Sequence, residues 1–439
     1  MKEGSRQDKR KILGRVSRLF SIKSIVVPKY IGDIPVEKYF SRQLRLDGGR
    51  TIFLTDSGLE HFSAVVDLLD GADLFDGLVG YSDLWTAWRS VVENWLSAGI
   101  EPTTAEEVIR EVSDLVQKEV GNYTFVVPMF GVDLKGDAQF SLGGMKIFKI
   151  SEDYFDGIGV DKHRIDVKKI CEENKRGLWI TGSVRGTSYI AQREFHDRAI
   201  LVVGVLAIAA ASMYEFGANN FRIGIEMQSN SAGNRVAWFS WRDEERSLAA
   251  HFESPSAQLL PVDEVMSRDS DMVRMLHQIF SIILKKEQTE LEEAIARSVF
   301  WYSDAHRDSV SVMKFIKYWS CVEAFFSLDG NNITHAVSSG LAAQLVFGGF
   351  HFVPVDGYRE LKKEITFFYK LRSRAIHRAS HSQITERDTS RFSQLVAWLI
   401  VSMAGLVEIG YTKLAEIKAH TDRLDAAEAK LSSKGPSNS

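Results

Sequence analysis

Only two cysteines, Cys171 and Cys321, stand in 439 residues, each alone in its segment. That scarcity argues against a disulfide framework and a Cys-rich metal centre, and it fits a reducing compartment. Prolines number eight, and two of them fall in Ser254 to Pro261, the expected linker. Charge of one sign is also missing: the formal net charge is −4, so no global basic field draws in nucleic acid, and any RNA contact must come from a local patch. Hydrophobic runs stay short of the ~20 residues that a membrane-spanning helix needs. The most apolar, AILVVGVLAIAAA from Ala199 to Ala211, predicts a buried, Ala-rich helix against which neighbours pack closely, with no membrane span.

Signature loops are missing as well. The fragment GSVRG, Gly182 to Gly186, lacks the spacing and the Lys of a phosphate loop, and its Arg185 reads as a turn residue, solvated or holding an anion. Asp67, Asp70, Asp73 and Asp76 lack the Gly-and-Glu pattern of a calcium hand and are expected to solvate a loop. The basic segment 1–23 has no apolar core of signal-peptide length. It is expected to be a solvated tail or short basic helix, with an RNA or acidic-partner contact as the alternative.

What remains is ordinary globular composition, 45% apolar and 26% charged, enough for two or three domains. Residues 24–256 read as an α+β domain. Short β-type runs at Lys23–Pro28, Thr51–Thr55, Asn122–Met129, Gln139–Ile150, Gly177–Val184, Asn220–Met227 and Arg235–Trp241 alternate with helical patterns at Gly58–Leu69, Leu84–Ala98, Thr104–Glu119 and Ile190–Phe216. Thr104 before AEEVIREVSDLVQKE is the clearest helix start. His61, His163 and His196 are scattered, and no catalytic role attaches to this half. By analogy with multidomain effectors, it is expected to meet an unidentified trigger or regulatory partner.

From 257 to 415 the pattern is all-α. Apolar spacing predicts helices over Asp271–Lys286, Thr289–Tyr302, Asp308–Ser327, Ile333–Phe347 after the capping pair Asn331 and Asn332, a helix from Tyr358, and Glu386–Tyr411. The stripe Phe315, Tyr318, Trp319, Val322 and Phe325 is expected to be core, with Cys321 as a small buried hydrophobe. Residues 416–439 are expected to form a charged, solvent-facing helix that frays into a disordered tail.

Chemistry shows through at LRSRAIHRAS, Leu371 to Ser380. Arg372 and His377 lie five residues apart, about 140° round a helix and about 7.5 Å along it. A guanidinium suited to phosphate oxygens beside an imidazole that titrates near neutrality suits phosphodiester cleavage, with Arg372 on the phosphate and His377 moving a proton. The structural alternative is that these cations, with Arg374 and Arg378, merely complement the negative end of a helix dipole. Two further pairs, Ser373 with His377 and His377 with His381, are each four apart and share a face. A Ser-His nucleophile would need an orienting acid and an oxyanion hole, and a two-His metal site would need further ligands; neither is visible nearby. Glu323, one residue from the aromatic stripe, needs a partner if buried. Arg372 is the expected one, the alternative being a Glu that faces water.

The run FYKLRSRAIHRAS, with SVMKFIKYWSCVEAFFS (Ser311–Ser327) before it, resembles the Apea-like branch of the HEPN superfamily over about residues 265 to 415. The resemblance implies a helical domain that dimerises so that two R-x4-H elements face one composite cleft. In many members that cleft is a metal-independent ribonuclease of antiviral defence or toxin systems; others have lost catalysis. It implies Arg372, His377, Glu323 and Ser373 as catalytic candidates, Ser373 standing where the superfamily often has Asn, Asp or His. It also implies Arg374, Arg378 and His381 as RNA-contacting candidates, no cofactor, RNA and a second copy as partners, and a cytoplasmic location. A non-catalytic adaptor or nucleotide-sensing module is the other expectation.

Overall fold

The structure, a computed structural model, describes residues 6–27, 42–72, 74–135, 139–150, 154, 178–225, 237–241, 248–252, 258–326, 333–378 and 384–433. Expectations for Cys171, His163, Asp73, Asn331, Asn332, His381, residues 254–257 and the end of the tail, 434–439, lie outside these residues. Two compact units form: Met1–Phe125 with Ser183–Phe195, and Val126–Gly182 with His196–Ser439. They do not follow the boundary expected at 256. Sheet pairing and helix packing join segments far apart in sequence, which a shift in composition does not register.

In the first unit, α1 (Arg6–Leu19) sets Ile12, Val16 and Leu19 into the core against α2 (Asp56–Gly71). Of the two expected forms, solvated tail or short basic helix, the segment takes the helix, and it is packed, its cations turned outward: Lys9 pairs with Glu106 at 3.1 Å and Arg15 with Glu60 at 3.0 Å. Spacing of three and four residues explains the packing, because a helix with a single apolar stripe is stabilised by burying it. Strands β1 (Ile25–Val26), β2 (Gln43–Arg45) and β3 (Thr51–Leu54) form an antiparallel sheet in the order β1-β3-β2. Thr55 and Thr104 cap α2 and α4 (Ala105–Glu119), accepting from Gly58 N and Glu107 N at 3.1 and 3.2 Å. Between them α3 (Tyr81–Ala98) contributes Trp88, Val91 and Val92 to the same core. Asp67 and Asp70 belong to α2, not to a loop, and the Tyr81 hydroxyl donates to Asp67.

Strands β4 (Gly121–Phe130), β5 (Val132–Asp133), β6 (Phe140–Leu142), β7 (Met145–Lys149), β8 (Leu178–Gly186) and β9 (Gly224–Ile225) follow, with five in one sheet ordered β6-β7-β8-β4-β9. Arg185 thus lies in a strand, not a turn. The expected strand from Asn220 begins later, since Gly217–Asn220 forms a single helical turn, α6, before β9. Hairpin β10 (Ala237–Trp241) and β11 (Leu248–Phe252) pairs Ala237 with Phe252. The end of the expected linker is a strand, β12 (Leu260–Pro261), parallel to β5, with Leu260 buried.

The second unit is mainly helical. The Ala-rich run is the C-terminal half of α5 (Ser188–Met213), which matches the expected helix Ile190–Phe216 to within three residues at each end. From Ala199 to Ala211 its alanines and valines are buried. Gly204 sits so close to α9 (Glu290–Arg307) that a Cβ would come 2.9 Å from the Val299 carbonyl oxygen. Ser303 donates to the Ile200 carbonyl at 2.8 Å. A short α7 (Val262–Met266) precedes α8 (Asp271–Ile283), which packs on α9 and on α13 (Glu386–Glu408). Trp398 of α13 donates to the Ser212 carbonyl at 3.1 Å. Helices α5 and α13 have the length and hydropathy of membrane spans, yet 78% and 72% of their apolar windows are buried inside the protein.

Helix α10 (Ser311–Phe326) packs against α9, while α11 (Ile333–Phe347) packs against α12 (Tyr358–Arg378) and α14 (Leu414–Ser433). The aromatic stripe is core: Phe392 stacks with Trp319 at 5.0 Å and lies 5.0 Å from Phe315 and 5.3 Å from Phe368. Cys321 is buried, and burial pushes its thiol up well above the usual range. Ser298 donates to its carbonyl at 2.6 Å. The C-terminal helix does not simply face water. Leu414 and Ile417 are buried, and Tyr358 and Lys362 both bond Asp425.

Candidate functional site

Helix α12 places the motif. Its residues Tyr358, Leu361, Ile365, Phe368 and Leu371 are buried at spacings of three and four, so one stripe faces the helices it packs on and the opposite face meets water. Arg372 is four residues beyond Phe368 and so falls within the angular range of the buried stripe, toward the C-terminal end of the helix. His377 falls on the far side. That sequence arithmetic decides where each side chain goes.

On the buried side, Arg372 meets Glu323. Arg372 Nη2 lies 3.1 Å from Oε1 and 3.4 Å from Oε2 of the carboxylate. The side chains are 22% and 26% exposed, so water screens the pair only partly. The expected pairing of these two residues is present. Glu323 is itself held from within α10, one turn back, where Trp319 Nε1 donates to Oε1 at 3.0 Å. Trp319 in turn meets Tyr369 edge to face at 5.5 Å. Trp319 is the site residue that sequence reasoning missed. Its signal was the four-residue spacing Trp319–Glu323, which sets an indole donor under a carboxylate. Arg372 Nε is buried without a hydrogen-bond partner.

On the solvent side, an open hollow of about 350 Å³ is lined by Tyr369, Lys370, Ser373, Arg374 and His377. Ser373 and His377 thus share a surface, as their spacing predicts. Arg372 does not line this hollow, so within one chain the structure does not bring Arg372 and His377 into a single pocket. Arg378 closes the helix. Chemically, the two surfaces offer a carboxylate-oriented guanidinium with an unused buried N–H, and an exposed imidazole among cations and hydroxyls. Among the described residues, no group of three or more His, Cys, Asp or Glu is placed to hold a metal ion. No family model, curated protein or solved structure matches the chain.

Proposed function

We propose that the chain is a metal-independent endoribonuclease of the HEPN type, a bacterial defence or toxin-like effector working as a cytoplasmic homodimer. The Glu323–Arg372 pair held by Trp319 carries this reading. An arginine that only complements a helix end has no need of an indole-anchored carboxylate. One that binds a phosphate gains from being pre-oriented, because no reorganisation is then required as charge develops.

In the reaction, the ribose 2′-oxygen attacks the adjacent phosphorus and the bond to the 5′-oxygen breaks, leaving a 2′,3′-cyclic phosphate and a 5′-hydroxyl. His377 moves the proton that leaves the 2′-oxygen or reaches the 5′-oxygen. Arg372 holds the phosphate oxygens, Ser373 adds a hydroxyl donor beside His377, and Arg374 contacts a flanking phosphate. DNA lacks the internal nucleophile and is left intact. A second copy has a physical task here: it would complete one cleft from Arg372 and His377 groups that face different ways in one copy.

That same divergence supports the other reading, a non-catalytic adaptor or nucleotide-sensing module in which Arg372 binds an anion and His377 has no chemical role. Labelled single-stranded RNA incubated with the full chain in excess EDTA separates the two. Cutting of RNA but not DNA, lost in His377→Ala and Arg372→Ala, supports the nuclease; intact RNA with a folded dimer supports the adaptor.

A further inference from the structure

Beyond the hollow that holds His377, the same helix carries a second, of about 400 Å³, lined by Arg359, Lys362, Lys363, Thr366, Phe367 and Lys370. Lys370 belongs to both. At 100° per residue, Arg359, Lys363, Lys370 and His377 fall within an arc of about 40°, with Thr366, Ser373 and Arg374 beside them. The stripe runs the length of the helix, about 27 Å from Arg359 to His377 at 1.5 Å per residue. Lys and Arg outnumber acids in α12, where the carboxylates are Glu360 and Glu364, although the whole chain is net acidic. Glu364 is taken up by Arg391 of α13 at 3.1 Å and Glu360 by Lys363 at 2.7 Å. Phe367 lies between Lys363 and Lys370 with 47% of its surface exposed. A single helix face thus combines cations, hydroxyls and an unburied aromatic ring.

We infer that this face is a track for single-stranded RNA, which would run along α12 from Arg359 to His377 with phosphates on Arg359, Lys363 and Lys370 and a base stacked on Phe367. The inference rests on the nuclease reading for the purpose of the track, which is to deliver a phosphodiester to His377. Charge complementarity names a polyanion; the exposed ring between two cations selects one that also has bases. Base stacking tolerates any sequence, so the track supplies affinity and direction without sequence preference.

The test is equilibrium binding of a fluorescein-labelled single-stranded RNA to the full-length His377→Ala protein, followed by anisotropy between about 50 and 200 mM salt. Each phosphate contact contributes about −0.7 to the slope of log K against log salt. Lys370→Ala is expected to make the slope shallower by about 0.7, equivalent to about fivefold weaker binding at 0.1 M salt. Phe367→Ala is expected to weaken binding at least about fivefold with the slope unchanged. Arg297→Ala, the same loss of charge at an exposed position of α9, is expected to change neither. Wild-type affinity and slope in both α12 variants would overturn the track. So would displacement of RNA by polyglutamate at equal charge together with an inert Phe367→Ala, which would make the face an acidic-partner surface. Cutting and binding fail separately. Binding that follows Lys370 and Phe367 without any cutting by wild type removes the nuclease reading alone; cutting with an inert stripe removes the track alone.

Discussion

Arg372 reaches across from α12 to α10 and places Nη2 3.1 Å from the Glu323 carboxylate. The contact joins helices whose sequence positions are 49 apart and aims a guanidinium at the margin of the core. Glu323→Gln keeps an oxygen for the Trp319 indole and removes the charge that holds Arg372. RNA cutting is expected to fall by at least about tenfold, one hydrogen-bonded charge contact in the transition state. Stability should fall by less than about 2 kcal/mol, since the pair is partly screened. Cleavage rates and urea midpoints on the same preparations check both expectations.

Trp319 separates packing from orientation. Trp319→Phe retains a ring against Phe392 and Tyr369 but loses the donor to Glu323, so activity should drop with a stability change of about 1 kcal/mol. Trp319→Ala should cost about 3–5 kcal/mol through the cavity it leaves. Denaturant curves distinguish the two variants.

His306 provides a pH dependence. Its Nε2 accepts from Ile223 N at 3.0 Å while Nδ1 is buried without a partner. Burial, reinforced by the nearby positive charges of Lys314, Arg307 and Arg222, pulls its pKa down from 6.5 to about 3. The folded value lies below the unfolded one, so its contribution is fully present above pH 6.5 and is lost as pH falls toward 3. The loss amounts to about 3 kcal/mol by pH 4, at about 1.4 kcal/mol per unit. In His306→Gln this part of the slope should vanish, as read by urea unfolding at a series of pH values.

Gly204 tests the closeness of α5 and α9. A Cβ there meets the Val299 carbonyl oxygen at 2.9 Å and Ser303 Cβ at 3.0 Å, and backbone cannot move aside cheaply. Gly204→Ala should cost about 1–3 kcal/mol despite its better helix propensity, measured by thermal or urea denaturation.

Ile417 tests the docking of α14. The side chain is buried, so Ile417→Ala should cost about 2–5 kcal/mol. A solvent-facing helix would lose almost nothing.

Much of the secondary structure was legible because its causes are local. Thr104, read as a helix start, accepts from a backbone N–H three residues on, and Thr55 and Thr289 do the same although the sequence reading did not name them as caps. The aromatic stripe of α10 had a helical period and became core. The docking of α1 and α14 was harder to read, because a few apolar residues on a charged helix show that a stripe exists without showing what covers it. Strand β5 and its partner β12 were missed because two residues carry no periodicity; their pairing depends on segments more than a hundred residues apart.

The site divides in the same way. By itself the sequence determined that Arg372 and His377 lie on one helix about 140° apart, with Arg374 and Arg378 close by in the chain. Tertiary structure decided the rest: that Arg372 finds Glu323, that Trp319 holds Glu323 in place, and that His377 is left at the surface with Lys370 and Ser373. Helical angle is a property of covalent geometry and needs no neighbour, whereas a hydrogen bond between helices exists only once packing has brought its two ends together.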